Sequence, residues 1–112
     1  MAIKDWRSAE QAFQEAVGLN PREPEYQCYL AFASYKAASG PKDHRAKGPR
    51  KVLQKALTID PEMEHALVLL GIIEQECGEG RNARRHFLDA LKANPQSVTA
   101  KAALHRLDRV SD

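Results

Sequence analysis

One set of small, aromatic and proline residues returns along the chain at matching spacing. Ala9, Phe13, Ala16 and Pro21 are spaced as Ala83, Phe87, Ala90 and Pro95 are, and Leu53, Ala56 and Pro61 make a middle copy. Pro61 and Pro95 lie 34 residues apart, the length of a helix-turn-helix unit that buries its apolar face only against a copy of itself. A stack of such units is built to hold something rather than to react with it.

The repeat has to fit into 112 residues, 43% of them hydrophobic and 29% charged, which is one domain's worth of chain with enough apolar material for a core. The longest apolar run, Ala66 to Ile73, falls far short of the roughly 20 residues of a membrane span. The opening MAIKDWRSAE has no apolar stretch before a small-residue cleavage site. A cytoplasmic protein is therefore expected, although a piece of a larger protein would read the same way. The net charge of +2 provides no overall field for nucleic acid or anionic lipid, so any electrostatic role must be local.

Apolar residues recur every three or four positions, the period of a helix buried on one side. Trp6, Ala9, Phe13, Ala16 and Val17 form the first stripe, capped by Asp5 and stopped at Asn20-Pro21. A second helix is expected from about Pro24 to Ser39, with Tyr26, Tyr29, Leu30, Ala33 and Ala37 on its packed side. The stretch SGPKDHRAKGP from Ser39 to Pro49 carries two Gly-Pro breakers and reads as a loop with at most a short helical turn. A third helix then starts near Pro49 and buries Val52, Leu53, Ala56 and Leu57 before Asp60-Pro61. The fourth spans about Glu62 to Cys77, with Gly78 as its left-handed stop, and the fifth runs from Gly80 or Arg81 to Ala93. Val98, Ala102, Ala103 or Leu104, and Leu107 mark a last helix that would cap the stack.

These residues resemble the tetratricopeptide repeat family, most closely over Glu64 to Ser97. Leu67, Leu70, Gly71, Gly78, Ala83, Phe87, Ala90, Leu91 and Pro95 stand where the family has its large residue, Leu-Gly pair, turn glycine, alanine, aromatic, Ala-Leu and proline. The resemblance implies an all-α, right-handed superhelical stack of antiparallel helix pairs, about six helices in one domain over 1–112. Residues 5–21 would be the second helix of a partial repeat, 22–61 a repeat with an enlarged loop at 39–49, 62–95 the best-matching repeat and 96–109 a capping helix. The middle copy departs from the family: Pro21 to Pro61 spans 40 residues, six more than the next repeat, and Pro49 replaces the usual alanine. Its second helix is expected to be shortened or displaced. The partial first repeat should leave an apolar edge that another helix would normally cover.

In this family the first helix of each repeat lines a concave groove for an extended peptide or a partner's helix. Carried over by position, that groove would show Glu25, Cys28, Phe32, Tyr35 and Lys36, then His65, Val68, Ile72, Gln75 and Glu76, with Arg106 and Arg109 near the capping helix. Cys28, Phe32, Tyr35, Val68 and Ile72 make its middle apolar. Exposed surface of that kind marks a contact site, and a neighbouring helix packed on it accounts for the same residues equally well. The Lys, Asn and Arg clamp with which some members hold a C-terminal carboxylate is absent, since Cys28, Tyr29, Phe32, His65 and Leu69 occupy those places.

Other chemistry finds little support. Lys42, His44, Arg45, Lys47, Arg50 and Lys51 form a basic cluster without interleaved aromatics on which bases could stack. Arg81, Arg84, Arg85 and His86 alternate with acids in the manner of an exposed face. Cys28 and Cys77 lack the CxxC spacing of a zinc site and read as reduced thiols in the core or groove, and the four histidines stand in separate elements. No GxSxG, Gly-rich phosphate loop or HExxH occurs. A non-enzymatic protein-binding scaffold is expected, without cofactor, metal, membrane or small-molecule substrate. Its partner would be a protein or peptide, and Phe32→Ala or Tyr35→Ala should weaken that partner while sparing the helices. Structural self-association is the alternative, and a nucleic-acid accessory module ranks third.

Overall fold

Three turns with the same bonding pattern divide the chain. The N–H groups of Asn20, Asp60 and Asn94 each donate to the carbonyl of the alanine four residues earlier, and the carbonyls of the same residues accept from Glu23, Met63 and Ser97 at 3.1, 3.1 and 3.0 Å. In each case a proline follows, so the helix cannot continue and the chain reverses. The structure, a computed structural model, describes residues 5–110. The first four residues, on which the reading of the N-terminus partly rests, and the end of the C-terminal tail lie outside that range.

Six helices follow in order: α1 (Trp6–Leu19), α2 (Pro24–Ala37), α3 (Lys42–Ile59), α4 (Glu64–Glu76), α5 (Gly80–Ala93) and α6 (Val98–Val110). No strand occurs among the described residues. Asp5 caps α1 by accepting the Ser8 N–H at 3.0 Å, and Ser97 receives the Ala100 N–H at the start of α6. Each helix packs on the next, and α2, α4 and α6 also pack in sequence along one side. The core lies between them, with Tyr35, Leu53, Leu70, Ile73 and Phe87 among the largest buried side chains.

The segment expected to be a loop is a helix. Residues 42–49 form the first turns of α3, and Pro49 sits inside it. Aligned on α5, whose first residue Gly80 matches Ala46, α3 has an extra N-terminal turn that takes up part of the six-residue insertion. The helix is thus lengthened rather than shortened. A proline at this place costs about 3 kcal/mol of helix stability, and tertiary contacts oppose that cost. Ala46 is buried in the core, and Arg45 Nη1 donates to the carbonyls of Tyr35 and Ala38 at 3.1 and 3.3 Å. Arg45 thereby satisfies the open carbonyl end of α2, while its guanidinium lies 5.1 Å from the centre of the Tyr35 ring. The corresponding end of α4 uses a glycine instead: Gly78 takes φ +82°, and its N–H donates to Gln75.

The packed side of α2 also differs from expectation. Its buried residues are Cys28, Ala31, Phe32, Ala33 and Tyr35, whereas Tyr26, Tyr29, Leu30 and Ala37 are half-buried. Because α1, α3 and α4 surround α2, no single stripe describes what it buries.

Candidate functional site

Tyr29 of α2, His65, Val68, Leu69 and Ile72 of α4, and Thr99 of α6 line a depression of about 280 Å³ along the side where these three helices follow one another. Successive groove positions on α4 recur every three to four residues, so one helix face carries them all. Val68 is buried at the floor, Leu69 and Ile72 are half-buried, and His65 and Thr99 are exposed. The Tyr29 hydroxyl lies 2.9 Å from Nδ1 of His65, and the Phe13 ring stacks on Tyr29 with centroids 5.4 Å apart. Burial, followed by the charge of Glu25, raises the Tyr29 phenol above its ordinary value, so it stays protonated and able to donate.

The residues expected in the groove divide into two groups. Glu25 and His65 meet at 3.8 Å at one end. His65, Val68 and Ile72 line the depression itself. Gln75 is half-buried further along α4, and Arg106 and Arg109 are exposed on α6 with no ion-pair partner among the described residues. Cys28, Phe32 and Tyr35 are not open surface but core. Cys28 Sγ lies 3.9 Å from Met63 Sδ, Trp6 meets Phe32 edge-on at 5.7 Å, and Tyr35 has no exposed surface. For these three, packing by neighbouring helices replaces the contact-site reading. Phe32→Ala or Tyr35→Ala would open the core, so neither can report on binding alone.

Lys36 and Glu76 are spent on each other. Lys36 Nζ lies 2.6 Å from Glu76 Oε2, and the Tyr35 hydroxyl donates to Glu76 Oε1 at 2.7 Å, joining the ends of α2 and α4. Burial alone would push Glu76 up, but the Lys36 and Tyr35 hydrogen bonds outweigh it and hold the carboxyl below its usual value. Sequence reasoning left Thr99 out of the groove, and it named Tyr29 and Leu69 only as places of the absent carboxylate clamp, with Tyr29 otherwise on the packed side of α2. Leu69 is one residue on from Val68 and follows the same repeat position as Tyr29, a correspondence that the 40-residue offset makes available.

Both thiols are free, and burial raises both, with Glu25 adding to it at Cys28, which is pushed up to about 11. Among the described residues, no three His, Cys, Asp or Glu side chains gather as metal ligands, and no helix is long and apolar enough to cross a membrane.

Helices paired antiparallel, joined by repeated proline turns and lined on one side by the first helix of each pair, define an all-α repeat solenoid. Its fold is that of a tetratricopeptide-repeat domain. The chain is similar to the solved structure of the Arabidopsis OM64 TPR domain, with a TM-score of 0.72 and 27% identity over 95% of this chain and 83% of that one. No protein-family model and no curated protein sequence matches. A repeat domain of this kind is a protein-interaction module in general terms.

Proposed function

We propose that the chain binds a peptide or helix of a partner protein in the groove formed by Tyr29, His65, Val68, Leu69, Ile72 and Thr99, and that it acts as a scaffold without chemistry of its own. The observation that supports this most is the open aliphatic floor at Leu69 and Ile72, bordered by polar groups at His65 and Thr99. Apolar area removed from water provides the affinity, at about 25 cal/mol per Å² before the costs of association. The partner's apolar side chain enters over Leu69, and Glu25, Arg106 and Arg109 select among partners by charge. A photo-crosslinking residue placed at Leu69 or at Thr99 should capture the same partner peptide, and Leu69→Glu should abolish binding without loss of helical circular dichroism. Equal capture from Arg85, on the exposed face of α5, would refute the groove as the site.

The edge at α1 favours a second reading, self-association or continuation of the solenoid by a further helix. Ala83, Phe87 and Ala90 of α5 have no exposed surface, whereas their counterparts Ala9, Phe13 and Ala16 are only half-buried. Light scattering across a wide concentration range tests this: a monomer throughout excludes self-association.

A further inference from the structure

The side of α2 opposite the groove, half a helical circumference away, carries Leu30, Ala31 and Ser34. Between these residues and Gly48, Pro49 and Val52 of α3 lies a cavity of about 400 Å³, within the roughly 300–1,000 Å³ range of ligand-holding sites. The repeat correspondence shows why it is open. Ser34 matches Glu74, Val52 matches His86, and Glu10, one helix earlier, matches Arg50. In the second repeat those three positions close on one another. His86 Nδ1 lies 2.5 Å from Glu74 Oε1, where the imidazole N–H donates to the carboxylate, and Arg50 stands 3.8 Å from the same carboxyl group. In the first repeat the Ser34 hydroxyl donates to Glu10 at 2.8 Å, and Val52, 38% exposed, has no polar atom to reach across with. The same place in the fold is sealed by an ion network in one repeat and left apolar and open in the other.

Charge surrounds this notch unevenly. Helix α3 holds six of the chain's 17 Lys and Arg and one of its 15 Asp and Glu, so it is net positive while the rest of the chain is net negative. Arg45 and Arg50 are engaged in holding the fold. Lys47, Lys51 and Lys55 are exposed, have no ion-pair partner among the described residues and follow one another at four-residue spacing. That spacing places them in a row beside Gly48 and Val52 on the α3 surface.

We propose that this notch is a second docking site, for an acidic segment of a partner protein. One aliphatic or aromatic side chain of the segment enters between Leu30 and Val52 while its carboxylates face Lys51 and Lys55. The apolar floor provides affinity, and the lysine row provides sign selection and a salt-sensitive association rate. The site is separate from the groove on the other side of α2, so the two can be tested independently.

A random peptide library displayed on phage and panned on the whole chain tests this, with two variants as counter-selection. Glu10→Arg/Ser34→Glu/Val52→His copies the sealed arrangement of the second repeat into the first, and Lys51→Glu/Lys55→Glu reverses the rim without touching the core. Peptides rich in Asp and Glu around one apolar anchor should be enriched. Their affinity should fall at least about tenfold in the rim variant and in raised salt, and in the sealed variant where it retains its helical spectrum. Leu69→Glu should leave them bound. Enrichment of neutral or basic peptides only, no peptide that distinguishes wild type from the rim variant, or tighter binding of a single-stranded oligonucleotide than of every selected peptide would each overturn the proposal.

Discussion

Gly71 of α4 lies against the ring of Phe87 of α5 so closely that a Cβ on residue 71 would stand 2.7 Å from Cε1 of that ring. Phe87 has no exposed surface and nowhere to retreat. Gly71→Ala gains about 1 kcal/mol of helix propensity but overpacks a closed contact, which costs about 1–3 kcal/mol. The contact term wins because the enclosed ring cannot give way, and urea denaturation should show a net loss of up to about 2 kcal/mol. Adding Phe87→Leu should recover part of it, because the first repeat carries Ala31 with Leu53 at the matching positions. A Gly71→Ala protein as stable as wild type would contradict this packing.

Tyr35 contributes through its ring and through its hydroxyl. Tyr35→Phe removes one hydrogen bond to the Glu76 carboxylate and should cost about 1–2 kcal/mol. Tyr35→Ala and Phe32→Ala each empty a core site and should cost about 3–5 kcal/mol. Thermal melts followed by circular dichroism separate the two sizes of effect, and an unchanged melting point for either alanine variant would return these residues to the surface.

Two acids that pair with arginine should behave differently. Glu74 is 3% exposed and bonded to His86, whereas Asp108 pairs with Arg84 across a half-exposed contact. Breaking a buried pair costs about 3–5 kcal/mol. Arg50 keeps its 2.5 Å contact with Glu79 and some solvent, so about 2–3 kcal/mol is expected for Glu74→Ala. Asp108→Ala should cost under about 1 kcal/mol. Similar losses in guanidinium denaturation would refute the distinction.

Acid should weaken the fold. The Ser97 and Asn94 hydrogen bonds lower Glu64, the Arg50 hydrogen bond lowers Glu79, and Glu76 is lowered against the opposing effect of burial, all from an ordinary value of 4.5. Each carboxyl binds its proton less readily folded than unfolded, so its contribution is complete above the unfolded value and is lost as pH falls through the folded one. The melting temperature should hold at neutral pH and decline below about pH 4.5. Glu76→Gln should flatten that decline, and an unaltered slope would remove Glu76 from the account.

The repeat offset that revealed the family resemblance also supplies the comparison of Ser34 with Glu74. That correspondence was legible in the sequence, but its consequence was not. Whether Glu74 reaches both His86 and Arg50 depends on how far apart α3 and α5 stand. The acidic and basic residues of α3 and α5 likewise read alike as surface, although His86 turns inward and Arg45 closes the end of another helix.

What the sequence determined by itself rests on short-range rules: the three proline turns and the six helices between them. These depend on hydrogen bonds and spacings within a few residues of each other, and the repeat made each rule visible more than once. Only the tertiary structure decided that residues 42–49 continue α3 through Pro49, that Cys28, Phe32 and Tyr35 are core rather than groove, and that a notch remains between α2 and α3. Each outcome turns on contacts between residues distant in the chain, such as Arg45 on Tyr35 or Tyr35 on Glu76. Their energies outweigh a local helix-breaking preference, and no spacing along one helix encodes which neighbour will cover it.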